Sequence, residues 1–152
     1  MRAITVSAPA RLHLGFVDLN GSLGRKYGSI GLAVDQPATT LTVRPAPEFR
    51  ASGTESERAE KALRRFASLF AADKTYEVDV QSAIPAHAGL GSGTQLALAI
   101  GAAVLKLAGS QASASSLGEV VERGARSAIG ITAFERGGFI VDGGRGTSGH
   151  PP

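Results

Sequence analysis

The spacing of apolar residues changes along this chain and divides it into a strand-rich first part and a helix-rich second part. Residues 3–8 and 11–17 alternate apolar and polar positions on either side of Pro9, the period of half-buried strands. The Asp18-Leu19-Asn20-Gly21-Ser22-Leu23-Gly24 stretch after them is turn chemistry. Residues 29–34 and 39–44 predict two further strands around Asp35-Gln36-Pro37, so a four-stranded mixed or antiparallel sheet is the economical assembly. The period then turns helical. Ala59, Ala62, Leu63, Phe66, Leu69 and Phe70 recur three and four apart, behind a Thr54-Glu55-Ser56-Glu57 segment that has the order of a capping box. Over residues 75–84, Tyr76, Val78 and Val80 alternate with Glu77, Asp79 and Gln81, which predicts one more half-buried strand.

That strand delivers the chain into Ile84-Pro85-Ala86-His87-Ala88-Gly89-Leu90-Gly91-Ser92-Gly93-Thr94-Gln95, a glycine-rich turn. Residues 96–107 follow, apolar on every side apart from Gly101 and Lys106, as befits a helix at the centre of a core. Ser116-Leu117-Gly118-Glu119 repeats the capping-box order and predicts a helix through Val120, Val121 and Glu122 to Gly124. Residues 128–136 predict a short helix stopped by Gly137-Gly138, then a strand at Phe139-Ile140-Val141; from Asp142 onward no periodicity remains, and flexibility is expected. There is no internal repeat. The expected fold class is α+β, a mixed sheet with helices stacked on one face.

Composition narrows the function. At 152 residues the chain fits one domain, and its scarce aromatics and 20 glycines predict a closely packed, small-residue aliphatic core. The absence of cysteine excludes disulfides and thiolate metal sites and fits a reducing compartment, so a cytoplasmic location is expected. Met1-Arg2-Ala3-Ile4-Thr5-Val6 reads as a strand without the order of a signal peptide, and no apolar run reaches a membrane span. The formal charge of +3 is mild and no lysine cluster with interleaved aromatics occurs, which argues against nucleic acid as a partner. Small anionic substrates need only a local basic site.

The glycine turn is the best place for such a site. Gly89, Gly91 and Gly93 permit close backbone approach, and free N–H groups at the start of the next helix favour an anion. The turn lacks the Gly-Lys-Ser/Thr ending of a Walker A loop and the spacing of a dinucleotide fingerprint. Its phosphate donors would be the amides of Gly89, Leu90, Gly91, Ser92, Gly93 and Thr94, with the Ser92 and Thr94 hydroxyls able to add bonds or to ligate hydrated magnesium. An ordinary strand-to-helix turn capped by Thr94 has the same sequence. His87 would lie beside a ligand held there and is a candidate acid–base group, though a solvated turn histidine reads the same way. Alternation sets Arg11 and His13 opposite Leu12 and Leu14, on either the wall of a pocket or, as sequence favours, the solvated side of the sheet. Arg25, Arg123 and Arg126 are the other candidate anion ligands, and Asp18, Glu135 and Asp142 are the carboxylates nearest glycine turns. No acid–base carboxylate pair, nucleophile–base pair or metal-ligand spacing of the three histidines appears.

Taken together, Ser7-Ala8-Pro9-Ala10-Arg11-Leu12-His13-Leu14-Gly15, the 85–95 turn and the Gly137-Gly138 turn resemble the motifs of the GHMP kinase superfamily, whose phosphate loop reads P-x-x-x-G-L-G-S-S-A. Here Gly93 replaces the second serine. Within the superfamily the chain is most similar to the β-ribofuranosylaminobenzene 5′-phosphate synthases. Gly89-Leu90-Gly91-Ser92-Gly93-Thr94-Gln95, Arg126-Ser127-Ala128-Ile129-Gly130 and Ala133-Phe134-Glu135-Arg136-Gly137-Gly138-Phe139-Ile140-Val141-Asp142-Gly143-Gly144 carry that likeness. It implies a ribosomal protein S-five domain-2-like fold over residues 1–144, with 145–152 a flexible tail.

The resemblance also implies a chemistry. Kinases of the superfamily that use a catalytic aspartate hold it where Gly130 stands, so the likeness implies that phosphoryl transfer is lost while the phosphate loop is kept. It implies magnesium and phosphoribosyl pyrophosphate on the loop. It also implies attack on the anomeric carbon by 4-aminobenzoate or 4-hydroxybenzoate, with loss of carbon dioxide and pyrophosphate, in methanopterin biosynthesis. His87, Arg126 and Glu135 are then the catalytic candidates; Arg11, His13, Arg25 and Arg126 are the substrate-binding candidates, the last two for a benzoate carboxylate. Two alternatives stand: an ATP-dependent small-molecule kinase, and a truncated, non-catalytic binding domain. Members of the family run to about twice this length with a C-terminal domain closing the cleft, so the resemblance also leads one to expect either that domain or a second copy of this chain as a partner.

Overall fold

Two long strands carry the rest of the molecule. The computed structural model describes residues 2–110, 114–120 and 128–146. β1 (Ile4–Asp18) and β2 (Tyr27–Pro45) form an antiparallel pair along nearly their whole length. Pro9 and Asp35-Gln36-Pro37, expected to separate four short strands, separate none. The register passes from Pro9 opposite Ala38 to Ala10 opposite Val34, so residues 35–37 bulge out of one continuous strand, and the Gln36–Pro37 peptide is cis. Both prolines sit where the ladder is already interrupted and a missing N–H removes no bond.

The other edge of β2 is divided. Its later residues pair antiparallel with β4 (Tyr76–Ser82), which pairs in parallel with β3 (Arg50–Gly53) at the far edge. Its earlier residues, Ser29 to Leu32, pair with β5 (Phe139–Asp142). The sheet is therefore mixed and five-stranded. Strand β3 is unforeseen in the sequence, because Arg50-Ala51-Ser52-Gly53 has no apolar alternation to declare it.

Helix α1 (Ser56–Phe70) joins β3 to β4, and α2 (Ser92–Ala108) lies at the centre, against α1, β1 and β2. α3 (Ala114–Val120) and α4 (Ile129–Arg136) pack on α2. The apolar faces of β2 and β4, through Leu41, Val43, Tyr76, Val78 and Val80, meet Leu63 and Phe66 of α1 and Leu98, Ala99, Ile100, Ala103 and Val104 of α2 in one core. The opposite face of this part of the sheet is polar, with a Thr5–Thr42 hydroxyl pair at 2.9 Å and Ser52 donating to Asp79 at 2.7 Å. Further along, that face turns apolar. Leu32 lies between Leu12 and Phe139, Ile30 faces Val141, and Phe139 and Val141 are 65% and 67% exposed.

The helix starts differ from their sequence signatures. α1 is capped by Glu55 in the left-handed region (φ 55°) with no side-chain cap bond, so the Thr54–Glu57 capping box does not form. Ser116 lies inside α3 instead of before it, and the predicted continuation to Gly124 lies outside the described residues. α2 starts earlier than its apolar run, at Ser92, with Gly91 and not Thr94 at the cap. Past Asp142, Lys26 and Arg145 exchange backbone bonds of 2.9 Å; most of the expected tail lies outside the described residues.

Candidate functional site

The glycine turn is docked on the free edge of β1. Just past the Pro9/Ala10 irregularity, the Arg11 amide donates to Leu90 O at 3.0 Å and its side chain donates through Nη1 to Gly89 O at 2.8 Å. Gly91 then takes φ 82°, and a Cβ there would lie 3.1 Å from both Cγ and Nε of Arg11. Only glycine meets both demands, a left-handed backbone and contact with the arginine stem. Arg11 and His13 are half-buried, whereas Leu12 and Leu14, on the other side of the strand, are exposed.

Beyond Gly91 the 17-residue α2 begins, and its first internal bond runs from Gln95 N–H to Gly91 O at 3.0 Å. Among the described residues, the N–H groups of Gly89, Leu90, Gly91, Ser92, Gly93 and Thr94 have no acceptor, nor do the Ser92 and Thr94 hydroxyls have a partner. No acidic side chain stands in the first turn of α2 to neutralise its positive end. Such an end attracts an anion through its amides and its dipole.

α4 closes one side of the turn. Gln95, wholly buried, donates from Nε2 to Gly130 O at 2.8 Å; since a carbonyl accepts this bond, the amide nitrogen must face it. Gln95 Oε1 is left buried without a partner. A Cβ on Gly130 would lie 3.3 Å from Thr94 Cγ2, so any side chain at 130 crowds the glycine turn.

The structure therefore brings Arg11, the 89–94 turn, Gln95 and Gly130 together. Of the remaining candidates, His87 is exposed beside the turn in a left-handed conformation (φ 60°). His13 is half-buried against Phe16, their ring centroids 4.8 Å apart. It accepts the Gly15 N–H at Nδ1, so Nε2 carries the proton, in a buried position without an acceptor. Arg25 is committed elsewhere, its Nε and Nη2 each donating at 2.7 Å to Gly143 O and Gly144 O. Glu135 is exposed in the last turn of α4. Arg123 and Arg126 lie outside the described residues.

Two of the carboxylates singled out in the sequence are structural. Asp142, buried at the end of β5, accepts from Ser29 Oγ at 3.0 Å and from the amides of Ala128 and Gly144, each at 2.9 Å, and so ties β2 and β5 to the start of α4. Asp18 accepts the N–H groups of Asn20, Gly21 and Leu23; that from Leu23 does most to hold its carboxyl below the ordinary range. No group of three or more acidic or histidine side chains gathers to hold a metal among the described residues.

Sequence reasoning missed Arg58. It stands in the first turn of α1, and its Nη2 would lie 2.6 Å from a Cβ on Gly93. Nothing local links residues 58 and 93. The one trace in the sequence is the missing side chain at 93.

The chain is 37% identical over 146 residues to a protein of Archaeoglobus fulgidus named beta-ribofuranosylphenol 5′-phosphate synthase, covering 95% of this chain and 46% of that protein. A protein of the same name from Methanothermobacter thermautotrophicus is also 37% identical, over 93% of this chain and 46% of its own length. The chain thus spans about half the length of the curated relatives it matches. Among solved structures, Methanococcus jannaschii mevalonate kinase superposes with a TM-score of 0.67 at 13% identity, covering 92% of this chain and 53% of that one. A homoserine kinase from Cytophaga hutchinsonii gives 0.64 at 20% identity, covering 94% and 49%. At these identities the structural likeness speaks for the fold. No helix among the described residues is long and apolar enough to cross a membrane. The family model described as GHMP kinases N terminal domain matches residues 57–138, from α1 through the glycine turn to the Gly137-Gly138 stop, and the chain belongs to that family.

Proposed function

We propose that this chain is the phosphate-binding part of a transferase of the ribofuranosylphenol phosphate synthase type, and that the 89–94 turn seats the diphosphate of phosphoribosyl pyrophosphate. The observation that carries this reading is a helix start with unsatisfied amides, unopposed by acid, next to a position where glycine replaces the carboxylate a kinase of this superfamily would use.

In this reading the bond between the anomeric carbon and the diphosphate oxygen breaks, and the diphosphate leaves with the electron pair. The ring carbon bearing the carboxylate forms the new bond, and the carbon–carboxylate pair returns to the ring as carbon dioxide departs. No protein nucleophile is required. A ribofuranosylphenol product, as the relatives' name has it, calls for 4-hydroxybenzoate as the aryl acid in preference to 4-aminobenzoate. The chain's part is to stabilise charge growing on the leaving diphosphate, with the turn amides and the Ser92 and Thr94 hydroxyls as donors. The oxygens of Ser92, Thr94 and Gln95 suit a hydrated magnesium carried in on the diphosphate, which would neutralise part of its charge. ATP-dependent kinase chemistry is disfavoured, because glycine at 130 offers no carboxylate to orient a hydroxyl or take its proton.

The test is calorimetric titration with phosphoribosyl pyrophosphate and magnesium, followed by incubation with 4-hydroxybenzoate while pyrophosphate and carbon dioxide are measured. Binding by the wild type and its loss in Gly91→Ala, which forces a Cβ onto Arg11, is the expected outcome. Wild-type protein that takes up none of the ligand would overturn the reading.

A further inference from the structure

The phosphate turn has arginines on both sides, and they are not equivalent. Arg11 approaches from β1, but its Nη1 holds Gly89 O and its stem packs under Gly91, so it braces the turn. Arg58 approaches from α1. Its Nη1 donates to Glu55 Oε2 at 2.8 Å, while Nη2 faces the turn and has no partner among the described residues. A Cβ on Gly93 would be 2.6 Å from Nη2, well inside contact distance, so the guanidinium occupies the room that a side chain at 93 would need. Gly93 is the second residue of α2, on the turn whose amides lack acceptors.

A second observation at the same turn calls for a ligand. Gln95 is 0% exposed, and its Oε1 has no hydrogen-bond donor. Buried polar atoms are almost always satisfied, and a ligand hydroxyl or a water molecule would supply the missing donor.

We propose that Arg58 is a ligand-binding residue that holds the outer phosphoryl group of a diphosphate whose inner group sits on the 89–94 amides, and that residue 93 is glycine to admit it. This rests on the turn being a phosphate seat. A helix start offers a compact set of donors that suits one phosphoryl group; a second group needs another donor, and the planar guanidinium edge is shaped for it. Arg58 thereby favours a diphosphate over a single phosphate. Glu55 tempers it by neutralising part of its charge.

The experiment titrates the 152-residue chain with inorganic pyrophosphate and, separately, with orthophosphate, at one low ionic strength. Arg58→Ala is expected to weaken pyrophosphate binding about tenfold or more, while orthophosphate changes less than about twofold. Gly93→Ser keeps the arginine but displaces its flexible end, and is expected to lose pyrophosphate affinity in the same way. Glu55→Gln releases the guanidinium and is expected to bind pyrophosphate more tightly. The Arg58 side chain is 46% exposed, so thermal melts of these variants should match the wild type, and Arg58→Lys, which keeps charge without the fork, should recover part of the affinity. Equal pyrophosphate binding by wild type and Arg58→Ala would overturn this inference and leave the phosphate seat standing. A wild type that binds neither anion would overturn the seat itself.

Discussion

The two ends of β2 are stabilised by different physics. Its later half lies under α1 and α2 in a continuous aliphatic core, where Leu41, Val43, Leu63, Phe66, Leu98 and Ile100 are all fully buried. Its earlier half meets α4 and β5, whose core among the described residues is Ile129, Ala133 and Ile140 with Ala33 against it. Polar staples make up the difference. Asp142 takes three donors, Arg25 grips Gly143 and Gly144, Lys26 pairs with Arg145, and Gln95 holds Gly130. Area buried from water stabilises globally and without direction; a hydrogen bond to a charged group stabilises one place and fails when either partner goes. The candidate site lies on the seam, with its amides on the core side and Gly130 on the stapled side.

The sharpest way to break this contrast is to cut each side once. Phe66→Ala should cost about 3–5 kcal/mol of global stability, read as a lower denaturation midpoint at unchanged slope. Asp142→Ala should cost about 2–3 kcal/mol by stranding the Ala128 and Gly144 amides. Its signature should be regional: hydrogen exchange speeds up across α4 and β5 while α1 and α2 keep their protection. Uniform loss of protection in Asp142→Ala would erase the distinction between the two ends.

The smallest effect is an acid one. The Asp18 carboxyl is held below its ordinary range in the folded chain, so the stability it adds is present above the unfolded value, about pH 4, and is lost as pH falls through the folded value. Acidification should therefore loosen the 18–26 turn, which carries Arg25 and Lys26 to the stapled corner. Asp18→Asn should flatten that acid limb in a plot of stability against pH; an unchanged limb would remove Asp18 from the corner's support.

How much of this was legible depended on whether the cause was local. Helices α1 and α2 declared themselves through apolar period, and β4 through alternation, because burial there acts residue by residue along one element. The continuity of β1 and β2 was hidden because Pro9 and Pro37 are read as breaks, and only the partner strand shows that each falls at an interruption in pairing. The capping boxes at Thr54 and Ser116 had the right letters, but backbone geometry placed Glu55 at one cap and Ser116 inside the other helix. At the site, the glycine turn was visible from its own residues. Arg11 as its brace, Gln95 as its link to Gly130 and Arg58 at its far side were not, since each depends on a contact across tens of residues.

The pairing of Ile30 with Val141 sets an order of assembly. The β1–β2 hairpin and the β3–α1–β4–α2 unit close short loops, whereas β5 must return across most of the chain to find its place on β2, and the entropy of that closure defers it. The helix start of the candidate site rests on β1, α1 and α2, elements that precede β5 in the chain. The Gly130 carbonyl that anchors Gln95 belongs to the part that β5 closes, so weakening the β2–β5 pairing is expected to loosen the Gln95 side of the site before the Arg11 side.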